Sequence, residues 1–515
     1  MRTVGPDALC CNSGVLLSLF WLALMQAGDS PGEARVDSRI FAGKGLEESA
    51  SVLVVLRQQA DLSGAAAIVD RVERRRFVYE ALRAQADASQ AALQQDLRQR
   101  GIRFHSHFLV NMLEVEADRD AAARLAAREE VSFLAANRPS AGSIPVVASG
   151  SSEVSADNVE PNLVLVGAPQ LWARGFTGEG IVIGVADTGF QWDHPALKNR
   201  YRGWDGAAAS HDYNWHDAVH DAAPGNPCGS DAPAPCDDHG HGTATAGFSV
   251  GQDGEDTIGV APGARLIGCR NMAAGTGTPA RYTECFEWFL APTDERGENP
   301  RPDLSPDVIN NSWACPASEG CTDPDVLNAV VEGVRAAGIA MAFSAGNRGA
   351  QCSTLSEAPA VAPASFTIGA TWLDDTIAPF SAFGPVVSDG SGRLKPDLTA
   401  PGVDLRTAAL AGTYTLHFSG TSAAAPHVAG AFALLWSAVP GLRGDVEATE
   451  QILKRSAVPL TSSVNCGLYL GSWVPNPVFG WGRLDIPAAY ALATERMDAV
   501  LARKVRTTRV LSPRQ

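Results

Sequence analysis

The stretch IVIGVADTGF, residues 181–190, is an apolar run of strand length that ends in Asp-Thr-Gly. Three interpretations fit it: one half of an aspartic-protease site, a buried strand that delivers a carboxylate to a different triad, or a strand end followed by a turn. An aspartic-protease site needs two carboxylates that share a proton. Asp-Thr-Gly occurs once in this chain, so that interpretation requires a second copy of the chain.

The rest of the chain places this stretch in a parallel sheet. Between residues 162 and 496, apolar runs of strand length alternate with helical segments such as residues 325–338. Further strands are predicted at residues 265–270, 307–313, 339–346 and 365–371. This alternation is typical of an α/β fold whose mostly parallel sheet is covered on both faces. Ligands bind such sheets at the carboxyl ends of the strands, so Asp187 is expected at an active site.

The N-terminal part has a different pattern. Strands are predicted at residues 51–57, 108–117 and 131–137, and helices at residues 72–101 and 118–130. Together they indicate a small α+β domain over residues 28–139. Residues 140–158 are rich in Ser, Ala and Val without periodicity and are interpreted as a linker. The main domain then covers residues 159–497, and residues 498–515 form a tail.

The start of the chain is typical of an export signal. Arg2 precedes the apolar run at residues 15–25, and small residues follow at Ala27 and Gly28. A membrane anchor is the alternative, but the run is short for a bilayer span, and lipid attachment at Cys11 is a further one. We expect residues 1–27 to be removed and the protein to be secreted or periplasmic, with no stable membrane insertion.

Composition narrows the function classes. The chain has 515 residues and a formal net charge of −16, so nucleic acid is not expected as a partner, because phosphate binding needs a basic face. Eight cysteines lie between Cys228 and Cys466, an even number that suits an oxidising compartment. Their spacing suggests that Cys228 pairs with Cys236 and Cys315 with Cys321, although sequence alone does not fix the pairing.

Two serine motifs compete for a catalytic role. GFSVG, residues 247–251, matches the nucleophile elbow of α/β-hydrolases, but the residues before it resemble a helix start. Ser249 is therefore interpreted as an ordinary serine near a helix end. Ser422, in FSGTSAAAPHVAG, begins a helix-like stretch whose end amides favour developing negative charge. Its alternative role is a plain helix N-cap.

Ser422 completes a set of three residues in the order Asp, His, Ser. Asp187 lies in VADTGFQWDHPAL and His241 in DDHGHGTATAG. A serine hydroxyl is a weak nucleophile until a base removes its proton. Histidine serves as that base because its unperturbed pKa lies near neutrality, and a buried carboxylate fixes the tautomer of its ring. His239 competes with His241, but only His241 is followed by Gly-Thr.

The three segments resemble the signature segments of the subtilisin-like serine proteases (subtilases), over about residues 162–497. The resemblance implies a three-layer α/β fold and an endopeptidase in which Ser422 attacks, His241 carries the proton and Asp187 orients the ring. It also implies that Asn347, in AFSAGNRG, forms the oxyanion hole with the Ser422 amide. The substrate-binding residues that it implies are Ser312, Trp313, Ala314 and Gly346.

The segment before Asp187, LVGAPQLWARGFTGEG, resembles the bacillopeptidase F group within that family. The resemblance also implies that the α+β domain is a propeptide that assists folding, inhibits the protease as an intramolecular partner and is cut off between about residues 137 and 152. An unrelated accessory domain is the alternative. A monomer that acts on protein or peptide substrates is expected.

Some positions depart from the family pattern. Ala423 stands where the family usually has methionine, and Ala196 replaces an aspartate that is a calcium ligand in well-known members. No cofactor is expected to be required and no metal ligand is assigned, while a structural calcium ion has no predicted location. The acidic loops at residues 237–238 and 253–256 are candidates for calcium binding, but neither has the spacing of a known calcium loop, so these charges are interpreted as solvated surface.

A loop at residues 202–238 resembles an insertion between the Asp and His segments. With Cys228 and Cys236 it is expected to form a stapled rim of the cleft. Its histidines are interpreted as scattered surface residues and not as a metal site; they are His211, His216 and His220.

The rival function from another class is a catalytically silent binding or scaffold protein that keeps the fold. The presence of all four reacting groups, at Asp187, His241, Asn347 and Ser422, argues against it. A serine endopeptidase is therefore the function that the sequence favours.

Overall fold

The computed structural model describes residues 34–141, 158–317, 320–321 and 324–497. The predicted export signal (residues 1–27), most of the predicted linker (residues 140–158) and the predicted tail (residues 498–515) lie outside the described residues.

The N-terminal unit is a five-stranded sheet with two helices. Its elements are β1 (Arg35–Val36), β2 (Ala50–Leu56), α1 (Arg71–Gln99), β3 (Phe104–His107), β4 (Met112–Ala117), α2 (Arg119–Ala126) and β5 (Val131–Ala136). In spatial order the strands run β1-β5-β2-β4-β3.

Local sequence explains where these elements begin and end. The carboxylate of Asp70 accepts hydrogen bonds from the backbone N–H groups of Val72 and Glu73, so α1 begins directly after it. The prediction of one strand over residues 108–117 was wrong, because residues 108–111 form the turn between β3 and β4. The helix predicted over residues 118–130 ends earlier, at Ala126.

The main domain alternates strands and helices as the apolar runs predict. Its strands are β6 (Val182–Asp187), β7 (Trp215–Asp217), β8 (Gln252–Asp253), β9 (Asp256–Thr257), β10 (Arg265–Arg270), β11 (Met272–Ala273), β12 (Thr276–Gly277), β13 (Val308–Asn311), β14 (Ala340–Ser344), β15 (Phe366–Thr371), β16 (Leu398–Pro401), β17 (Leu405–Ala409) and β18 (Thr413–Phe418). Its helices are α3 (Pro161–Leu165), α4 (Ala168–Trp172), α5 (His241–Val250), α6 (Pro279–Leu290), α7 (Pro324–Ala336), α8 (Thr421–Ala438) and α9 (Val446–Ser456), and residues 486–497 are also helical.

Seven of these strands form one sheet, in the order β16-β15-β14-β13-β6-β10-β7. Every pairing in it is parallel, so the carboxyl ends of the strands share one edge. Side chains of successive residues in β6 point to opposite faces. Ile183 and Val185 join the core that contains α8, whereas Ala186 joins the core that contains α6 and α7. The α/β fold with a mostly parallel central sheet is confirmed.

One attachment of the N-terminal unit to the main domain is centred on a buried carboxylate, Asp307, at the amino end of β13. The guanidinium of Arg75, on α1, bonds Asp307 at 3.1 Å and also donates to the backbone carbonyl of Pro306 at 2.9 Å. Arg71, also on α1, lies 3.3 Å from Asp307, and Arg443 of the main domain lies 2.6 Å from it. Burial lowers the pKa of Arg75 to about 10, and Asp307 opposes that shift.

We expect Arg75→Met to weaken the attachment of the N-terminal unit, because Arg75 is 1% exposed and its removal leaves buried carbonyl groups without a donor. In a Ser422→Ala background, which removes the predicted nucleophile, the free energy of unfolding should fall by about 3 kcal/mol. Urea unfolding followed by tryptophan fluorescence measures it. The control is Arg83→Met on the same helix, where the side chain is 40% exposed and about 0.5 kcal/mol is expected. Equal losses in the two variants would contradict the role of Arg75.

Candidate active site

The central contact of the site joins the end of β6 to the start of α5. The Nδ1 atom of His241 lies 2.7 Å from the Oδ1 atom of Asp187, and both side chains are fully buried. The same carboxylate accepts the backbone N–H of Thr188 at 2.8 Å. These bonds orient the imidazole ring, so its other nitrogen, Nε2, is directed away from Asp187.

Glycines allow β6 and α5 to come this close. A Cβ atom at Gly242 would lie 1.8 Å from the carbonyl oxygen of Gly189. Gly189 has φ of +96°, and a Cβ atom there would lie 1.8 Å from the carbonyl oxygen of Cys236. Larger residues at either position would push the Asp187 loop away from His241.

Asp237 fixes the start of α5 and was misjudged from the sequence. Its carboxylate accepts the backbone N–H groups of His239 and Gly240, the N–H and hydroxyl of Thr243, and the hydroxyl of Thr188. Burial raises the pKa of Asp237, and these hydrogen bonds oppose the shift. The interpretation of residue 237 as a solvated surface charge was wrong.

Two other acidic residues assigned to the surface are also buried. The side chain of Asp238 is fully buried and lies 2.6 Å from the guanidinium of Arg270. Asp256 is 3% exposed and lies 2.7 Å from Arg406. The sequence showed the acidic residues but not their partners, because each arginine is distant along the chain.

Ser422 is the second residue of α8, after the N-cap residue Gly420, so the interpretation of Ser422 as an N-cap was wrong. Its hydroxyl donates to the Ser312 carbonyl at 2.9 Å, and the Ser312 hydroxyl donates to the Ser422 carbonyl at 3.0 Å. The buried Nε2 atom of His241 has no hydrogen-bond partner among the described residues. The structure therefore joins Asp187 to His241 and Ser422 to Ser312, without a bond between the serine and the histidine. Such bonds often form only when substrate is bound.

Asn347 is held by the residue that precedes Ser422. Its Oδ1 atom accepts the backbone N–H and the hydroxyl of Thr421, both at 2.9 Å. The backbone N–H of Gly346 donates to the same hydroxyl at 3.2 Å. Because the amide oxygen is used in this way, the NH₂ group is the end of the side chain that can donate to a reacting oxygen.

The four predicted substrate-binding residues are all buried. Ser312 contacts Ser422, and Gly346 contacts Thr421, as described above. The backbone N–H of Cys315, after Ala314, donates to the Ala358 carbonyl at 2.8 Å. Trp313 is 1% exposed and its indole stacks on the ring of Tyr282 with centroids 3.9 Å apart, so its side chain belongs to the hydrophobic core.

A second histidine lies beneath Ser422. His427 is fully buried on α8; its Nδ1 atom lies 2.7 Å from the Ala423 carbonyl and its Nε2 atom 2.8 Å from the Asn162 amide nitrogen. These contacts require a neutral ring with the proton on Nδ1. Burial lowers the pKa of His427 from 6.5 to about 4. No sequence signal singled out this residue, since its role depends on a distant asparagine.

The loop at residues 202–238 is stapled by a disulfide bond between Cys228 and Cys236. His216 and His220 both contact Glu284, at 2.7 and 3.0 Å. The hydrogen bond to Glu284 is the main reason why the pKa of His220 rises to about 10. These two histidines are therefore members of one charged cluster, and the interpretation of them as scattered residues was wrong.

The predicted pairing of Cys315 with Cys321 is also present. Two further disulfide bonds, Cys269–Cys285 and Cys352–Cys466, were not predicted. The first joins β10 to α6, and the second closes a sequence separation of 114 residues.

Ala196 packs in a small apolar cluster with Ile258, Ala408 and Tyr414, so this position supplies a methyl group and not a carboxylate. Within the described ranges, no three His, Cys, Asp or Glu side chains meet in an arrangement that could hold a metal ion. Nor does any helix of the described part of the chain have the length and apolar character needed to cross a bilayer.

Comparison with known proteins finds one family and several similar relatives. The model of the subtilase family matches residues 178–482. The chain is similar to bacillopeptidase F of Bacillus subtilis (strain 168), with 36% identity over 76% of this chain and 27% of that protein. It is also similar to serine protease AprX of the same strain, with 32% identity over 52% of this chain and 60% of that protein. Subtilisin E of that strain is 29% identical over 55% of this chain and 63% of its own length. The chain thus spans less than two thirds of each of these relatives.

Acid should destabilise the protein through His427. The unfolded ring binds a proton near pH 6.5, whereas the folded ring binds it only near pH 4. Stability is therefore lost as the pH falls from 6.5 to 4, by about 3 kcal/mol from this group. Urea unfolding in the Ser422→Ala background should show a shallower pH dependence for His427→Gln over this range. His417→Gln, at a side chain that is 74% exposed, is the control; acid slopes that match in all three proteins would contradict the assignment.

Proposed function

This chain belongs to the subtilase family, and on that premise we propose that it is a secreted serine endopeptidase made as a self-processing precursor. The observation that carries the proposal is the fully buried contact of Asp187 with His241, at 2.7 Å, on the same side of the sheet as Ser422. These elements come together because α5 and α8 pack against each other and α8 packs on β13 to β16. The active site is thus a property of the fold and not of one flexible loop.

The reaction proceeds by acyl transfer. His241 removes the proton from the Ser422 hydroxyl through its Nε2 atom, and the serine oxygen attacks the carbonyl carbon of the peptide bond. Asp187 holds the ring in the tautomer that leaves Nε2 as the base and stabilises the imidazolium. The protonated ring then gives the proton to the leaving amine. Water repeats the cycle on the acyl-enzyme and restores Ser422.

The oxyanion is stabilised by fixed donors. The Asn347 amide is oriented by Thr421, and the Ser422 backbone N–H lies in the first turn of α8, where N–H groups have no partner within the helix. A preorganised donor of this kind contributes roughly 10²–10³ in turnover. All of these groups are protein groups, so the chemistry requires no cofactor. A structural calcium ion remains a prediction without an assigned site.

The N-terminal unit acts as an inhibitory propeptide. Its last described residues pass between two glycines of the main domain: Ser140 forms an antiparallel bridge with Gly277, with N–O distances of 2.8 and 3.1 Å, and a Cβ atom on Gly320 would lie 2.4 Å from the Arg138 carbonyl. A chain held as an added strand in this way occupies the space that a substrate backbone would use. The contacts also support its role as a template for folding of the main domain.

The same unit also docks on helix α6 of the main domain through the turn between β3 and β4. The carboxylate of Glu287, on α6, accepts the backbone N–H groups of Phe108 and Leu109 and lies 3.2 Å from the Nδ1 atom of His107. Removal of the unit exposes this surface, so the precursor and the mature enzyme differ in stability. The disulfide bonds and the predicted export signal support a secreted enzyme. A monomer that acts on proteins and peptides remains the expected form.

A catalytically silent scaffold is the second candidate, because the Ser422 hydroxyl bonds Ser312 and not His241. A fluorophosphonate probe separates the two. We expect the probe to label the processed wild-type protein on Ser422, with loss of labelling in Ser422→Ala and in His241→Ala.

The matched control is Ser249→Ala, in the competing GFSVG motif. The Ser249 hydroxyl donates to the Thr245 carbonyl within α5 at 3.0 Å, so its removal should leave labelling and casein hydrolysis intact. Absence of label from folded wild-type protein, or label that survives in Ser422→Ala, would favour the scaffold or a different nucleophile.

A further inference from the structure

A buried carboxylate lies close to the candidate oxyanion site and has no role in the reaction described above. The side chain of Glu357 is 3% exposed, although acidic side chains are almost never fully buried unless they are paired. Its partner is Arg348, the residue after Asn347, which forms an ion pair with it and is 41% exposed. The negative charge is therefore fixed inside the protein, and its positive partner reaches in from the surface.

Glu357 lies between the two segments assigned to substrate binding. On one side, a Cβ atom at Gly346 would lie 3.3 Å from the Oε2 atom of Glu357. On the other side, the residue after Glu357, Ala358, forms a bridge with Cys315, next to Ala314. The carboxylate thus lies between residues 312–315 and residues 345–346.

Glu357 is close to the proposed site of bond cleavage, because Gly346, which it approaches, directly precedes Asn347. When Asn347 and the Ser422 amide hold the carbonyl oxygen of a substrate, the side chain of that residue, which precedes the scissile bond, lies beside Gly346. A long side chain then extends toward Glu357. The residues around this path are small, so their side chains present little bulk to an extended chain; they are Ala314, Ala345, Gly346, Ala358 and Ala382.

We infer that Glu357 makes the protease selective for substrates with arginine or lysine before the scissile bond. The inference rests on the proposed function and names its substrate class. A guanidinium or ammonium group that reaches Glu357 takes the place of Arg348, which moves into solvent, so the buried carboxylate keeps a cation. Arg348 suits this exchange because its side chain is 41% exposed and therefore already borders on solvent.

Other substrates fit less well for electrostatic reasons. An apolar side chain offers no cation, so Arg348 must stay paired with Glu357 and share the space beside that carboxylate with the substrate. An acidic side chain would meet the Glu357 carboxylate, and like charges in a poorly solvated site repel strongly. The expected order of preference is therefore arginine and lysine, then apolar residues, then aspartate and glutamate.

Self-processing is exempt from this preference. Arg138 is the one basic residue in the expected cleavage range of residues 137–152, so a cut after any other residue of that range follows a poorly matched side chain. That cut is intramolecular, and the effective molarity of a tethered reactant can reach the order of 10⁵ M. Tethering therefore compensates for a poorly matched side chain in a way that is not open to a free substrate.

The test measures kcat/KM for four tetrapeptide nitroanilides that share their first three residues and end in Arg, Lys, Phe or Glu. The protein is expressed as the full chain and used after it has processed itself, and a fluorophosphonate titration gives the concentration of active serine. In the wild type, the ratio of the Arg to the Phe substrate should exceed about 10, and Glu357→Gln should lower this ratio about 10²-fold. Arg348→Gln should leave the ratio at or above the wild-type value. The control is Glu298→Gln, at an exposed position, which should not change the ratio.

A wild-type preference for the Phe substrate, or an unchanged ratio of the Arg to the Phe substrate in Glu357→Gln, overturns the inference. The proposed function still stands in that case, because the titration has shown a reactive serine. If Glu357→Gln yields no titratable serine, the wild type and Arg348→Gln provide the test. A ratio of the Arg to the Phe substrate below 1 in either protein contradicts the inference. If the folded wild type neither reacts with the probe nor cleaves any of the four substrates, the proposed function fails and the inference fails with it.

Discussion

The hydrogen bond between Asp187 and His241 is the contact on which the arrangement of the site depends. It is buried at 0% side-chain exposure on both sides, so water cannot replace it and the ring has one orientation. It exists because β6 ends where α5 begins in space, 54 residues later in the chain. Gly189 and Gly242 permit that approach, and Asp237 fixes the first turn of α5 through five hydrogen bonds. A change at any of these residues is therefore a change in the position of the base.

Asp307 has a corresponding role at the opposite edge of the same sheet. Its Oδ1 atom contacts Arg71 and Arg75 of the N-terminal unit and Arg443 of the main domain. Its Oδ2 atom also contacts Arg443 and accepts the backbone N–H of Val182 at 3.0 Å. The pKa of Asp307 is lowered even though burial alone would raise it, chiefly because Arg75 lies beside it. Under the proposed removal of the N-terminal unit, Asp307 would keep Arg443 as its partner, so this end of the sheet would not retain an unpaired buried charge. One carboxylate could then serve both of the proposed forms, the precursor and the mature enzyme.

The sequence predicted those parts of the structure that depend on local pattern. The strands of the parallel sheet, the position of Asp187 at a strand end and the position of Ser422 near a helix start all follow from apolar runs and short motifs. The predictions were wrong where a distant partner decides the outcome. Asp237 is buried because Thr243 donates a hydrogen bond to it, and Asp238 is buried because it forms an ion pair with Arg270. Trp313 packs in the core because its ring stacks on that of Tyr282. The disulfide Cys352–Cys466 escaped prediction for the same reason, since its sequence separation is 114 residues.

The proposed function depends on self-processing, in which Ser422, activated by His241, cuts the chain that carries it. Intact-mass analysis of wild type and Ser422→Ala, both expressed from residue 28 with the N-terminal unit in place, measures this cleavage. We expect the wild type to lose about 110–125 N-terminal residues, as for intramolecular cleavage at the junction, and Ser422→Ala to remain at full length. Full-length mass for both proteins, or the same loss in both, would contradict it.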